Sequence, residues 1–378
     1  MSNTAIKYAC VDDMPSESNA LIEDLTETGL VDFEPINALV GNIDQQIKDI
    51  ESSDANGILL DYVLKVRGGQ GGPERVSNSL AQQMRDNATL AVGQDKPIVL
   101  WSSAKNFRDY YERDTTARDL YDLHIDKTKI PDTANDIANK LVALVRGYCA
   151  IRQHNHDDRA GLIQMLGLKE EEATDILDPR VGDPFLLGQS RPEHEYARYI
   201  IRELLSEPNP LVDRALLFAR LGVDEEGSEA GDIEALLADI ECCKYAGAFC
   251  SGWERWWWQR VWDWWANVAG QRDIQQLSAE RRVSLLNEKH GWSLQAAEPI
   301  EKDYSTAYWT ICEVYHRPLD PIDGFQASNS SVQPWHDARY LSAKAALGFE
   351  GSENGVEVHS IDRNRFQRLK KQHGATRS

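Results

Sequence analysis

Along residues 4–148 the apolar positions alternate between two spacings. Stretches rich in apolar residues at 5–11, 31–39, 57–64, 97–101 and 123–126 predict strands, and 57–64 reads as one buried on both faces of a parallel sheet. Between them apolar residues recur at helical spacing: Ala20, Leu21 and Leu25, then Ile43, Ile47 and Ile50, then Leu80, Met84 and Leu90, and last Ile137, Leu141 and Leu144. Pro15 and Ser16 open the first helix and Gly29 stops it; Gly147 ends the last. Residues 104–122 read as helical at least in part. Strands alternating with helices predict βαβ units, here an α/β doubly wound parallel five-stranded sheet.

The stretch 57–64 is the centre of that sheet. Ile58, Leu59 and Leu60 run straight into Asp61, and Tyr62, Val63 and Leu64 follow. Alone, Asp61 reads as a strand-ending turn residue. It has company: Asp12, Asp13, Ser102 and Lys127 also fall just after predicted strands. In a doubly wound sheet those ends gather on one edge, where ligands of such sheets bind. Three carboxylates gathered there repel one another and invite a hard cation such as Mg²⁺. A lysine and a hydroxyl on the rim suit a phosphoryl anion beside it.

The acidic pair Asp12-Asp13, then Asp61, Ser102 and Lys127, in this order and at these strand ends, resembles a response-regulator receiver domain, a flavodoxin-like fold, over residues 4–148. The resemblance implies that Asp61 accepts a phosphoryl group from a histidine kinase or phosphotransfer protein. It implies that Asp12, Asp13, Asp61 and the main-chain carbonyl of Val63 hold Mg²⁺. Ser102 would bond the phosphoryl oxygen once formed, and Lys127 would pair with the same group. His124 lies where the family places a ring that swings inward on activation. The chain departs from the family at Thr128, where proline usually follows the lysine. Insertions also stand at 68–72 and 87–95.

After Gly147 the pattern changes. Residues 149–158 read as a polar linker, and 159–378 as a mostly α-helical output domain with an irregular C-terminal part. Two stretches match without gaps, from Asp158 to Leu168 and from Asp213 to Val223, each leading into an acidic pair, Glu170-Glu171 and Glu225-Glu226. Shared helix-capping grammar accounts for them better than an internal repeat does. Ile233, Leu236 and Ile240 start a helix ending near Gly252, followed by the tryptophans 253, 256, 257, 258, 262, 264 and 265. These read as core packing, with Arg255 and Arg260 leaving an interface reading open. His316 with Asp320, and His336 with Asp337, have the makings of acid/base pairs, yet no nucleophile motif accompanies them. A hairpin is expected at 356–358, and the tail 363–371 is basic.

Length and charge narrow the rest. At 378 residues the chain fits two or three domains. A net charge of −20 argues against a generic nucleic-acid binder, although a local basic patch is compatible with it. Six cysteines without a CxxC pair suit a reducing compartment. No apolar run nears the roughly 18 residues of a membrane span, and the N-terminus carries no secretory pattern, so a cytoplasmic protein is expected. The reading is a two-component response regulator whose helical domain acts on a protein partner or on itself. An output enzyme using the His316 or His336 region, and a phosphate-independent pseudo-receiver adaptor, are the alternatives.

Overall fold

The computed structural model describes residues 5–12, 15–36, 43–65, 74–90, 94–103, 117–153, 159–182, 191–270, 273–328, 333–349 and 357–376. The chain divides into two compact units. One comprises Met1–Ala173, Pro179–Glu203 and Ala246–Trp253, the other Thr174–Asp178, Leu204–Tyr245 and Glu254–Ser378.

In the first unit, β1 (Ile6–Val11), β2 (Val31–Pro35), β3 (Gly57–Asp61), β4 (Ile98–Ser102) and β5 (Leu123–Asp126) form one sheet. Their order is 2-1-3-4-5 and every pairing is parallel. This is the flavodoxin-like doubly wound order. Every residue of β3 and β4 is buried, which accounts for their unbroken apolar runs. Helix α1 (Pro15–Thr26) packs on α4 (Ile130–Gln153), and α2 (Ile43–Glu51) on α3 (Asn78–Leu90). Val63–Lys65 and Glu74–Val76 form a short antiparallel ribbon after β3. The glycine cluster at 68–72, residues 37–39 of the second expected strand, and 104–116 lie outside the described residues; Ala117–Leu120 is a single 3₁₀ turn.

Helix α4 does not stop at Gly147 but continues to Gln153, into the stretch expected to be a linker. The glycine has a packing role instead. A Cβ at Gly147 would collide with the Phe249 ring, so the residue permits close approach rather than ending the helix.

Three further helices belong wholly or partly to this unit: α5 (Arg159–Met165), α6 (Glu170–Ile176) and α7 (Glu193–Tyr199). A buried ionic network fastens α7 to the sheet. Arg85, 4% exposed, pairs with Asp95 and with Asp122, both at 2.9 Å. Tyr148 donates to Asp122 Oδ1 at 2.8 Å, and the Ile98 N–H donates to Asp122 Oδ2. Asp95 Oδ2 then receives the His194 N–H at 2.8 Å and lies 2.7 Å from His194 Nδ1. Burial disfavours the Asp95 charge, but Arg85 and His194 overrule it and hold its pKa below the ordinary value. Charges taken out of water persist only when paired and hydrogen-bonded in this way.

The second unit is helical, with α8 (Arg214–Leu221), α9 (Ala230–Asp239), α10 (Trp258–Ala269), α11 (Ala279–His290), α12 (Ala343–Phe349) and α13 (Arg363–Thr376). Strands of two or three residues pair between them. The tryptophan run is not one helix. Trp256 and Trp257 form a strand against Leu211 and Val212, and the helix begins only at Trp258. Within α10 the buried residues Trp258, Val261, Trp265 and Ala269 make one core stripe. Two fully buried arginines sit in this core. Arg220 lies between the rings of Trp258 and Trp309, 4.7 and 4.4 Å from their centroids, and pairs with Asp337. Arg282 donates to the carbonyls of Ile274, Arg220 and Tyr308, and burial pulls its pKa down to about 10.

The matched stretches end alike and then diverge. Both helices finish at a left-handed glycine, Gly167 (φ 70°) and Gly222 (φ 74°). Glu170 and Glu171 then open α6, whereas Glu225 and Glu226 lie in a turn and the next helix starts at Ala230. Asp158 lies outside the described residues. Likewise the helix expected to reach Gly252 ends at Asp239. The hairpin expected at 356–358 is realised, among the described residues, as a single antiparallel bridge between Ala327 and Val358.

Candidate functional site

Strand register assembles the site. Val11 pairs with Leu60, so the next residues along β1 and β3, Asp12 and Asp61, stand side by side. Asp61 pairs with Trp101, one residue before Ser102, and Ser102 pairs with Asp126, one before Lys127. A parallel sheet in this register brings all four to its carboxyl edge.

One ammonium joins the two carboxylates. Lys127 Nζ lies 2.8 Å from Asp12 Oδ2 and 3.0 Å from Asp61 Oδ1. Two neighbours that sequence reading passed over complete this arrangement. Ser18, on the first turns of α1, donates to Asp12 Oδ2 at 2.7 Å. The Trp101 ring lies beneath the ammonium, with its centroid 4.3 Å from Nζ. A buried Trp beside Asp61 in register was the available signal; Ser18, six residues after Asp12, gave none.

Asp12, Asp61 and Ser102 are buried. Burial pushes the Asp61 carboxyl up to about 6 against the pull of Lys127, and Asp12 beside it adds to the rise. Burial opposes the charge of Lys127, but Asp61 and Asp12 together hold its pKa above the ordinary value. At neutral pH Asp61 is therefore ionised and the lysine charged. Ser102 Oγ and His124 Nε2 are 3.1 Å apart. Burial pulls the His124 imidazole down to about 4, so the ring is neutral where the carboxylate is charged.

At Thr128 the departure from proline has a local reason. The Thr128 N–H donates to Asp126 Oδ1 at 3.0 Å and its hydroxyl to the same oxygen at 2.7 Å. Proline has no N–H to offer this cap, which fixes the turn directly after Lys127.

Asp12 and Asp61 are hard oxygen donors of the kind Mg²⁺ takes. The third expected carboxylate, Asp13, lies outside the described residues, and of Val63 only the main chain is described, in the ribbon opposite Val76. Among the described residues no group of three or more His, Cys, Asp or Glu side chains is placed to hold a metal. The donor chemistry of the two placed carboxylates nevertheless fits the cation.

In the second unit the expected acid/base pairs have separate engagements. Asp320 accepts from the Ile322 N–H and from Ser305 Oγ, and Asp337 pairs with buried Arg220. His336 Nδ1 accepts from the Gln333 N–H. His316 lines a cavity of about 130 Å³ with Glu207, Glu313 and Arg339, and none of the other three lines it. Arg255 and Arg260 donate to the carbonyls of Leu205 and Cys242. All six cysteines are unpaired, with Cys243 buried and Cys242 exposed. Among the described residues no helix is long and apolar enough to cross a membrane.

No protein-family model matches the chain, and no curated protein is similar to it in sequence. Among solved structures it is similar to the Salmonella typhimurium RcsB response regulator, in a structure described for conformational dynamism in DNA interaction, at 11% sequence identity and a TM-score of 0.26, over 51% of this chain and 98% of that one.

Proposed function

We propose that the first unit is the phosphoacceptor of a two-component response regulator, with Asp61 taking a phosphoryl group from a histidine kinase or phosphotransfer protein. The observation that carries this reading is the shared contact of Lys127 Nζ with Asp12 Oδ2 and Asp61 Oδ1 at the carboxyl edge of a 2-1-3-4-5 sheet. A carboxylate of Asp61 attacks phosphorus, the O–P bond forms as the donor's P–N bond breaks, and the imidazole leaves. Asp12, Asp13, Asp61 and the Val63 carbonyl would hold Mg²⁺, which when bound neutralises phosphoryl oxygens. Lys127 keeps a positive charge within reach of the acceptor oxygen and pairs with the group formed there.

The new phosphoryl charge draws in the Ser102 hydroxyl and parts it from His124 Nε2, so the change is passed to β4 and β5. The second unit is the output in this reading, acting through a protein partner or a second copy of the chain. Reductive trapping tests the assignment. After incubation with acetyl phosphate and Mg²⁺, borohydride converts an aspartyl phosphate to homoserine, which peptide mass spectrometry locates. Homoserine at position 61 is expected; homoserine only at other aspartates would overturn the assignment.

A further inference from the structure

The first unit carries a second recess, at the opposite end of its strands. A cavity of about 470 Å³ opens where β3 and β4 begin, a volume in the range of small-molecule sites. Its floor is apolar: Ile58, Met84, Ala88, Ile98 and Val145 are all buried. Its rim is polar, with Asn87 donating to Glu51 at 3.1 Å and Arg152 tied to Glu193 at 3.2 Å. Lys96 stands apart from these. Its ammonium donates to the Ser53 carbonyl at 3.3 Å, and among the described residues no carboxylate ion-pairs with it. Burial pulls its pKa below the ordinary lysine value, against Glu51 and Asp54. A half-buried ammonium that touches a carbonyl but no carboxylate, beside an apolar floor with room above it, has donors left for an anionic partner.

We propose that this cavity binds a small amphipathic carboxylate, with its acid group on Lys96 and its apolar body on Met84, Ile98 and Val145. Such a ligand neutralises the lysine and covers apolar surface. It gives the first unit a chemical input separate from Asp61, since Asp61 and Ser102 end the strands in which Ile58 is second and Ile98 first.

Cys149 supplies the readout, because it is exposed and lines the cavity, while exposed Cys242 belongs to the other unit and serves as an internal control. Alkylation of both thiols in the full chain is followed by peptide mass spectrometry with octanoate, or with 1-octanol as the uncharged counterpart. Octanoate is expected to slow modification of Cys149 at least about threefold at saturation, with Cys242 unchanged and octanol much weaker. Lys96→Met should remove the advantage of octanoate over octanol, and Lys96→Arg should keep it. Absence of Cys149 protection by octanoate, equal protection by octanol, or an advantage that survives Lys96→Met would overturn the proposal. None of these readings passes through Asp61, so the outcome is independent of the phosphoacceptor assignment.

Discussion

Lys127 Nζ stands 3.0 Å from Asp61 Oδ1, at a carboxyl group that burial alone would neutralise. The lysine lowers the Asp61 pKa and so keeps this carboxylate ionised at neutral pH. In the metal-free chain the Asp61 carboxyl should therefore titrate with its inflection near about 6, read from its carboxyl NMR shift against pH. Lys127→Met should move that inflection upward. A wild-type inflection at the ordinary carboxylate value would contradict the burial of Asp61.

Stability carries the opposite sign. Asp61 titrates at 3.8 in the unfolded chain and at about 6 in the folded one, so the folded state holds the proton more tightly. The cost of ionising it is absent below the lower value, grows between the two, and is complete above the higher, on the order of 3 kcal/mol. Asp61→Asn should be more stable than wild type at about pH 8, with the advantage shrinking toward about pH 4. Chemical denaturation across that range measures it, and a variant less stable than wild type at the high end would contradict the account.

Much of this site was legible because its side chains sit at strand ends. Asp12, Asp61 and Ser102 each follow an apolar run and Lys127 a short strand ending in Asp126, and parallel register does the rest. The ionic network was not legible as such, since an arginine in a polar-looking helix reads as solvated. Its signal was position: Arg85 lies on the buried face of α3 with Ala81, Met84 and Ala88. The tryptophan run misled because aromatic residues suit strand and core helix alike, and only the pairing of Trp256 and Trp257 with Leu211 and Val212 separates the two.

Arg85 neutralises two buried carboxylates at once. Arg85→Met keeps the stem and strands both charges, so a loss of roughly 3–5 kcal/mol is expected from denaturant unfolding. A loss below about 1 kcal/mol would place the network at the level of a surface ion pair.

Gly147 sets helix propensity against packing. Alanine should stabilise a helix interior by about 1 kcal/mol, yet its Cβ would meet the Phe249 ring. Overpacking outweighs the gain, and Gly147→Ala should lower stability by about 1–2 kcal/mol. A rise in melting temperature would show that Phe249 yields freely.

The central claim is tested most directly by intact mass after incubation with a small phosphodonor. The account predicts one labile phosphoryl adduct on the wild-type chain with Mg²⁺, lost when the metal is chelated and absent from Asp61→Ala. An adduct of the same yield on Asp61→Ala, or on wild type without the cation, would contradict it.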